Sequence, residues 1–264
     1  MRWLIITIVL TCFCVPAIAQ STTPDQSLLT KTRSLYDAPF TRGLISFDCT
    51  LNFDWKQHFV DLLGSVPPAA VPTAERLQAI QHRVFVDRAG AIVSAVPKGP
   101  DLGNVAHATE LEQVFIAITS SGLNAWLPSS TNVLLPVGPT NASWEKTDTG
   151  YKLTMNGRGV AGQLLLTADM RLTSGVTQLP QPMRFTTDFK PGPNGFLLAS
   201  VQTGDTIDPG TSKVASFAYT YQTVQGFQLP FQVAVISATS ETWHYVLADC
   251  KAAKGISITG LPLR

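Results

Sequence analysis

Charge is scarce in this sequence. Asp, Glu, Lys and Arg make up 14% of it, where ordinary soluble domains carry about a quarter. The charge present nearly cancels, with 19 basic residues against 18 acidic ones, and no basic stripe marks a nucleic-acid surface. Histidine is also rare. The four residues His58, His82, His107 and His244 leave few ways to assemble a Ser-His-Asp triad. No Gly-x-Ser-x-Gly elbow, phosphate-binding loop or Cys-x-x-Cys pair occurs after the first nineteen residues. Heptads, low-complexity tracts and fixed-period repeats are missing as well. These gaps exclude the motif-bearing enzyme classes and leave no legible cofactor, metal set or catalytic residue, so the chain reads as non-enzymatic.

The first nineteen residues have their own pattern. Met1-Arg2 is a short positive lead, Leu4 to Val15 is apolar, Pro16 breaks the run, and Ala17-Ile18-Ala19 supplies a small-x-small cleavage signal. The apolar run falls short of the about 20 residues a membrane span needs. Residues 1–19 are therefore expected to be a cleaved signal peptide, and residues 20–264 one exported domain, periplasmic or extracellular, without a membrane span. Loss of Arg2 leaves 19 − 1 = 18 basic residues against 18 acidic ones.

What remains is rich in strand patterns. From Ile45 to Trp55 every odd position is apolar and every even one polar, the period of a half-buried strand. Helices are expected mainly within residues 26–127. One carries Leu28, Leu29, Leu35 and Tyr36 and stops by Pro39; another holds Phe59, Leu62 and Leu63 before Gly64; a third runs from a Thr73 cap to Ile80. Arg83 to Val96 reads as a hairpin, and Pro97 to Gly103 as loop. The best helix has Leu111, Val114, Phe115 and Ile118 on one stripe, with Thr109 and Glu112 as a capping box and Gly122 as its stop.

From about Asn132 the pattern is almost entirely β. A hairpin turns at Asp148-Thr149-Gly150. Alternation of Leu164, Leu166, Ala168, Met170 and Leu172 predicts a single strand. Another turn lies at Pro191–Gly195. The last strands carry Phe217, Tyr219 and Tyr221, then Phe227, Leu229, Phe231, Val233 and Val235, then Trp243, Tyr245 and Leu247, with turns at Gly226 and at Ala238-Thr239-Ser240. Pro230 falls on the polar parity of its strand, which marks an edge or a bulge. The fold class is mainly β (α+β): a single curved antiparallel sheet or open half-barrel, covered on one face by a few helices.

Cys49 and Cys250 are the two cysteines outside the leader. In an exported protein they favour a disulfide, with two separate buried thiols as the alternative. Closing a loop of about 200 residues contributes about 5 kcal/mol in the chain-entropy treatment. Parity raises an objection: Cys49 shares the apolar face of its strand, whereas Cys250 shares the polar parity of Thr242 and His244. A bulge, or the end of the strand near Asp249, would realign it.

Other patterns are weaker. Asp54, His58 and Asp61 share one face of a helix, as a metal site would require, but a solvated face is the simpler reading. His107-Ala108-Thr109-Glu110 lacks the second His of a zinc hydrolase motif. Ser143-Trp144-Glu145-Lys146 matches Ser-x-x-Lys without its companion motifs and lies in a strand pattern. Asn141-Ala142-Ser143 is a glycosylation sequon. Phe217, Tyr219, Phe231, Trp243 and Tyr245 are first of all core candidates, with the lining of an apolar-ligand site as the alternative.

The export signal, the strand Ile45 to Trp55, the helix Glu110 to Ser120 and the aromatic strands after Ser212 together resemble the LolA/LppX-type lipoprotein carriers. That resemblance implies an incompletely closed β-barrel covered by helices, whose concave face binds acyl chains. It carries no family motif and assigns no binding residue. The expected function is non-enzymatic binding or carriage of an apolar or lipid-like ligand in the cell envelope. The alternatives are a structural or protein-interaction module of the envelope, and a carbohydrate-binding domain or hydrolase with a site outside known motifs.

Overall fold

The computed structural model describes residues 24–96, 107–135, 141–157, 160–177, 183–205, 215–237 and 241–255. The expected leader, the Pro97–Gly103 loop and the turn at residues 238–240 lie outside these. Twelve strands form one unclosed antiparallel sheet. In chain order the elements are α1 (Pro24–Arg33), β1 (Leu44–Phe53), α2 (Trp55–Leu63), α3 (Val71–Gln78), β2 (His82–Asp87), β3 (Ala91–Ala95) and α4 (Ala108–Ser130). Strands β4 (Asn141–Thr147), β5 (Gly150–Gly157), β6 (Val160–Thr167), β7 (Leu172–Thr177), β8 (Met183–Gly192), β9 (Gly195–Asp205), β10 (Ala215–Val224), β11 (Phe227–Ile236) and β12 (Thr242–Lys254) follow.

The sheet order is β3-β2-β1-β12-β11-β10-β9-β8-β7-β6-β5-β4. From β4 to β12 each strand pairs with its successor, and β12 then returns to β1. The chain passes from edge strand β3 to edge strand β4 through α4, which lies across the sheet in contact with β3, β11 and β9.

The Cys49–Cys250 disulfide joins β1 to β12 across a sequence separation of 201. The parity objection is resolved by a bulge. Asp249 adopts φ 50°, and the β1–β12 register slips between Asp48 and Thr50. The extra residue swings Cys250 onto the buried face, where Cys49 is fully buried. A second slip, between Leu44 and Ser46, breaks the alternation at the start of β1, so Leu44 is buried and Ile45 is exposed. Trp55, expected to end that strand, instead opens α2.

Pro230 also marks a bulge. It pairs with Tyr221 where the β10–β11 register slips between Tyr219 and Tyr221. The missing N–H of proline is tolerated at such a site. The same slip interrupts the alternation of β11, which explains why Phe231 is exposed while Val233 and Val235 are buried.

Three further expectations require correction. The alternation from Leu164 to Leu172 spans a hairpin, β6 to β7, and not one strand. Short polar side chains make that turn: Thr167 Oγ1 donates to Asp169, the Arg171 N–H donates to Thr167 Oγ1 at 3.0 Å, and Met170 takes φ 65°. The helix α4 starts at Ala108 behind His107, which makes no side-chain cap, and Glu112 bonds His82 in place of a capping box. Nor does α4 stop at Gly122; it runs through to Ser130.

Gly122 has a different reason to be glycine. A Cβ there would lie 2.5 Å from Tyr245 Oη, 3.2 Å from Val235 Cγ2 and 3.3 Å from Val233 Cγ1. It is the point at which the helix backbone rests on the sheet. Gly195 makes a similar close approach at the β8–β9 turn, with φ 129° and only 2.5 Å between its Cβ position and Leu35 O. There Asp37 N donates to Phe196 O and Phe196 N to Leu35 O, at 3.0 and 2.7 Å.

Candidate functional site

The apolar face of the sheet meets α4 through tyrosines as well as hydrocarbon. Tyr219 Oη donates to Gly122 O at 2.8 Å, and Tyr245 Oη donates to Thr119 O at 3.1 Å. Trp126 Nε1 donates to Tyr221 Oη at 3.2 Å, which donates onward to Leu198 O at 2.8 Å. Burial raises the phenol pKa of all three tyrosines well above the ordinary value, so each stays a neutral donor. Strand β10 places Tyr219 and Tyr221 two residues apart on one face, and β12 does the same for Trp243 and Tyr245. The tyrosines therefore reach successive turns of one helix.

Of the five expected lining residues, Phe217, Tyr219, Trp243 and Tyr245 are brought together in the core. Phe231 is not with them; it is 36% exposed. Near Trp243 the packing is aromatic throughout. Its ring lies 5.5 Å from Phe53, 6.2 Å from Trp55, 6.4 Å from Phe115 and 4.0 Å from His58. Burial lowers the His58 pKa, opposed by the carboxylates of Glu241 and Asp61 and a backbone bond at Thr242. Two polar atoms in this region, Trp243 Nε1 and Thr119 Oγ1, are buried and find no hydrogen-bond partner among the described residues.

The Asp54, His58 and Asp61 set does not converge. Asp54 caps α2 by accepting from Gln57 N at 2.9 Å, Asp61 accepts from Gln57 Nε2 at 2.7 Å, and His58 turns inward to Trp243. Among the described residues no group of three or more His, Cys, Asp and Glu is placed to hold a metal. Ser143 and Lys146 lie within β4, on a strand and not beneath a helix.

An open groove of about 700 Å³, bordered by Phe53 and Trp55 of the aromatic cluster at Trp243, lies where β1 runs on past the start of β2. The last β1–β2 pair is Leu51 with His82. Beyond it Gln78 takes the place of a strand partner: its Nε2 donates to Phe53 O at 3.1 Å and its Oε1 accepts from Trp55 N at 3.0 Å. Thr50, Asn52, Asp54, Lys56, Gln81, His244, Ile80 and Val246 are among the residues that line the groove. Sequence reasoning missed it, because its polar residues come from strand positions that read simply as the solvent side. The one available signal was the position of Gln78, beyond reach without the fold.

Comparison with known proteins returned no matching family model, no matching curated relative and no matching solved structure.

Proposed function

We propose that this chain is a non-enzymatic, exported cell-envelope protein that binds or carries an apolar, lipid-like ligand between α4 and the sheet. The observation that carries the reading is the seat of α4. The apolar face of the unclosed sheet is crossed by α4, which rests on a bare glycine and on tyrosine hydroxyls, with α2 packed beside it at Trp243. Opening the face beneath to acyl chains requires α4 to lift as a unit, withdrawing Phe115, Leu123 and Trp126 from the core. In the closed arrangement Phe217, Tyr219, Trp243 and Tyr245 are packed, so ligand and α4 compete for the same apolar surface. Trp243 Nε1 and Thr119 Oγ1, without partners among the described residues, add support, since buried polar atoms ordinarily have partners and a ligand carbonyl would supply one.

The test is native mass spectrometry of detergent-free protein, with extraction of co-purified lipid. The expected result is a lipid adduct released by organic solvent. A bare apo mass, together with no uptake of added fatty acid or phospholipid, overturns the reading.

A further inference from the structure

We infer that the groove between β1, β12 and the α3–β2 connection is a second binding site, one that takes a neutral, polyhydroxylated ligand of oligosaccharide type. Leu51, Phe53, Trp55 and Leu77 of the apolar side border it, but its polar residues lie on the other face of the strands. Thr50, Asn52, His244 and Val246 stand on the face of β1 and β12 opposite to Leu51, Phe53, Trp243 and Tyr245, because strand side chains alternate. In the register Asn52 faces Val246 across the strand pair. The volume of about 700 Å³ falls within the range of about 300–1,000 Å³ typical of small-ligand clefts.

The chemistry of the lining narrows the ligand class. Thr50, Asn52, Gln81 and His244 are among the residues that line the groove, and none of their side chains makes a hydrogen bond within the described residues. Asn52, Gln81 and His244 are exposed and Thr50 is half-buried. A hydroxyl, two carboxamides and an imidazole together offer both donors and acceptors. Sugar hydroxyls have the same dual capacity, so one ligand can match all four. The side chain of Gln78 is already engaged with the β1 backbone, which fixes the wall and leaves the other amides free.

Formal charge in the groove is balanced. Asp54 is occupied as a helix cap, and Lys56 lies 3.5 Å from Glu75. With one carboxylate and one ammonium in the lining, neither a phosphorylated ligand nor a multivalent cation finds a charged cradle. Ile80, Ala79 and Val246 contribute apolar patches on which the C–H face of a sugar ring can rest.

The experiment is an NMR titration of the intact exported protein with maltotriose, cellotriose and triacetylchitotriose, each run against wild type and an Asn52→Ala/Gln81→Ala double variant. Both residues are exposed, so the variant is expected to keep the wild-type unfolding midpoint. The expected result is saturable shifts of the Thr50, Asn52, Gln81 and His244 amides with at least one trisaccharide, and at least tenfold weaker binding by the variant. Absence of saturable shifts with all three sugars, or equal affinity in the variant, overturns the inference. Lipid uptake is measured on the same variant; it is expected to be unchanged, which separates the fate of this site from that of the apolar face.

Discussion

Between β1 and β12 the partners lie 201 residues apart at the disulfide, whereas from β4 to β9 each strand pairs with the strand that follows it. The first region is a seam closed at long range. It needs a covalent link, two register slips and a cluster of aromatic rings to hold it. The second is built from hairpins whose turns set their own register, as at Gly150 and at Thr167–Arg171. Loop-closure entropy explains the difference: a contact between distant residues must overcome a cost that neighbouring strands hardly meet. One covalent staple therefore sits where the chain most needs it.

Removing the staple should have the largest effect. Cys49→Ser with Cys250→Ser is expected to lower stability by about 4 kcal/mol, within the usual range for a native disulfide, as read from denaturant unfolding. Loss of protection in hydrogen exchange should concentrate at β1 and β12, with β5 to β8 much less affected. Equal loss across the sheet would mean that the two regions do not differ as described.

Next in size is Gly122→Val. Its side chain would collide with Tyr245 Oη and the valines of β11, and overpacking of this kind costs about 2 kcal/mol. Calorimetry should show the lower midpoint, and the environment of the buried tyrosines should change in the near-ultraviolet spectrum. A silent substitution would remove the close seat of α4.

Tyr36→Phe probes the hairpin end. Tyr36 Oη donates to Met170 O at 2.8 Å and accepts from Leu172 N at 2.7 Å. Burial is the main reason its pKa is pushed up to about 12. Loss of these bonds should cost about 1.5 kcal/mol, with faster exchange confined to the β6–β7 turn.

The smallest effect concerns pH. The folded pKa of His58 lies below the ordinary 6.5 because the ring is buried, so between the two values the unfolded chain binds more protons. The contribution of His58 to stability is thus complete above pH 6.5 and is lost as pH falls through its folded value. Unfolding midpoints taken from pH 8 downward should decline on this account, and His58→Gln should flatten that part of the profile.

The sequence revealed the fold class, the strand β1 and the Cys49–Cys250 pair because each rests on a local signal: alternation, or two cysteines left outside the apolar N-terminal run. It also marked Asp249 as a bulge or strand end and Pro230 as an edge or a bulge, since a parity clash is visible before any pairing is known; both are bulges. The length of α4 was not legible. Gly122 has the appearance of a helix stop, and only the sheet beneath it explains the missing side chain. The alternation through Ala168 and Met170 likewise hid a turn, because Thr167 and Asp169 close it with their own side chains. Four of the five aromatic residues proposed as a lining do gather on one face. Phe231 does not, since one inserted residue in β11 cannot be placed without its partner strand. The groove around Gln78 depends on where β2 begins, a tertiary fact with no local mark.

The central claim is that α4 is a cover able to leave the apolar face while the β1–β12 seam stays closed. Hydrogen exchange with and without a saturating single-chain fatty acid tests it most directly. The account predicts that the amides of α4 around Thr119 to Leu123 lose protection on ligand addition, while those of β1 and β12 beside the disulfide keep theirs. Unchanged protection of α4 in the presence of the fatty acid would contradict it.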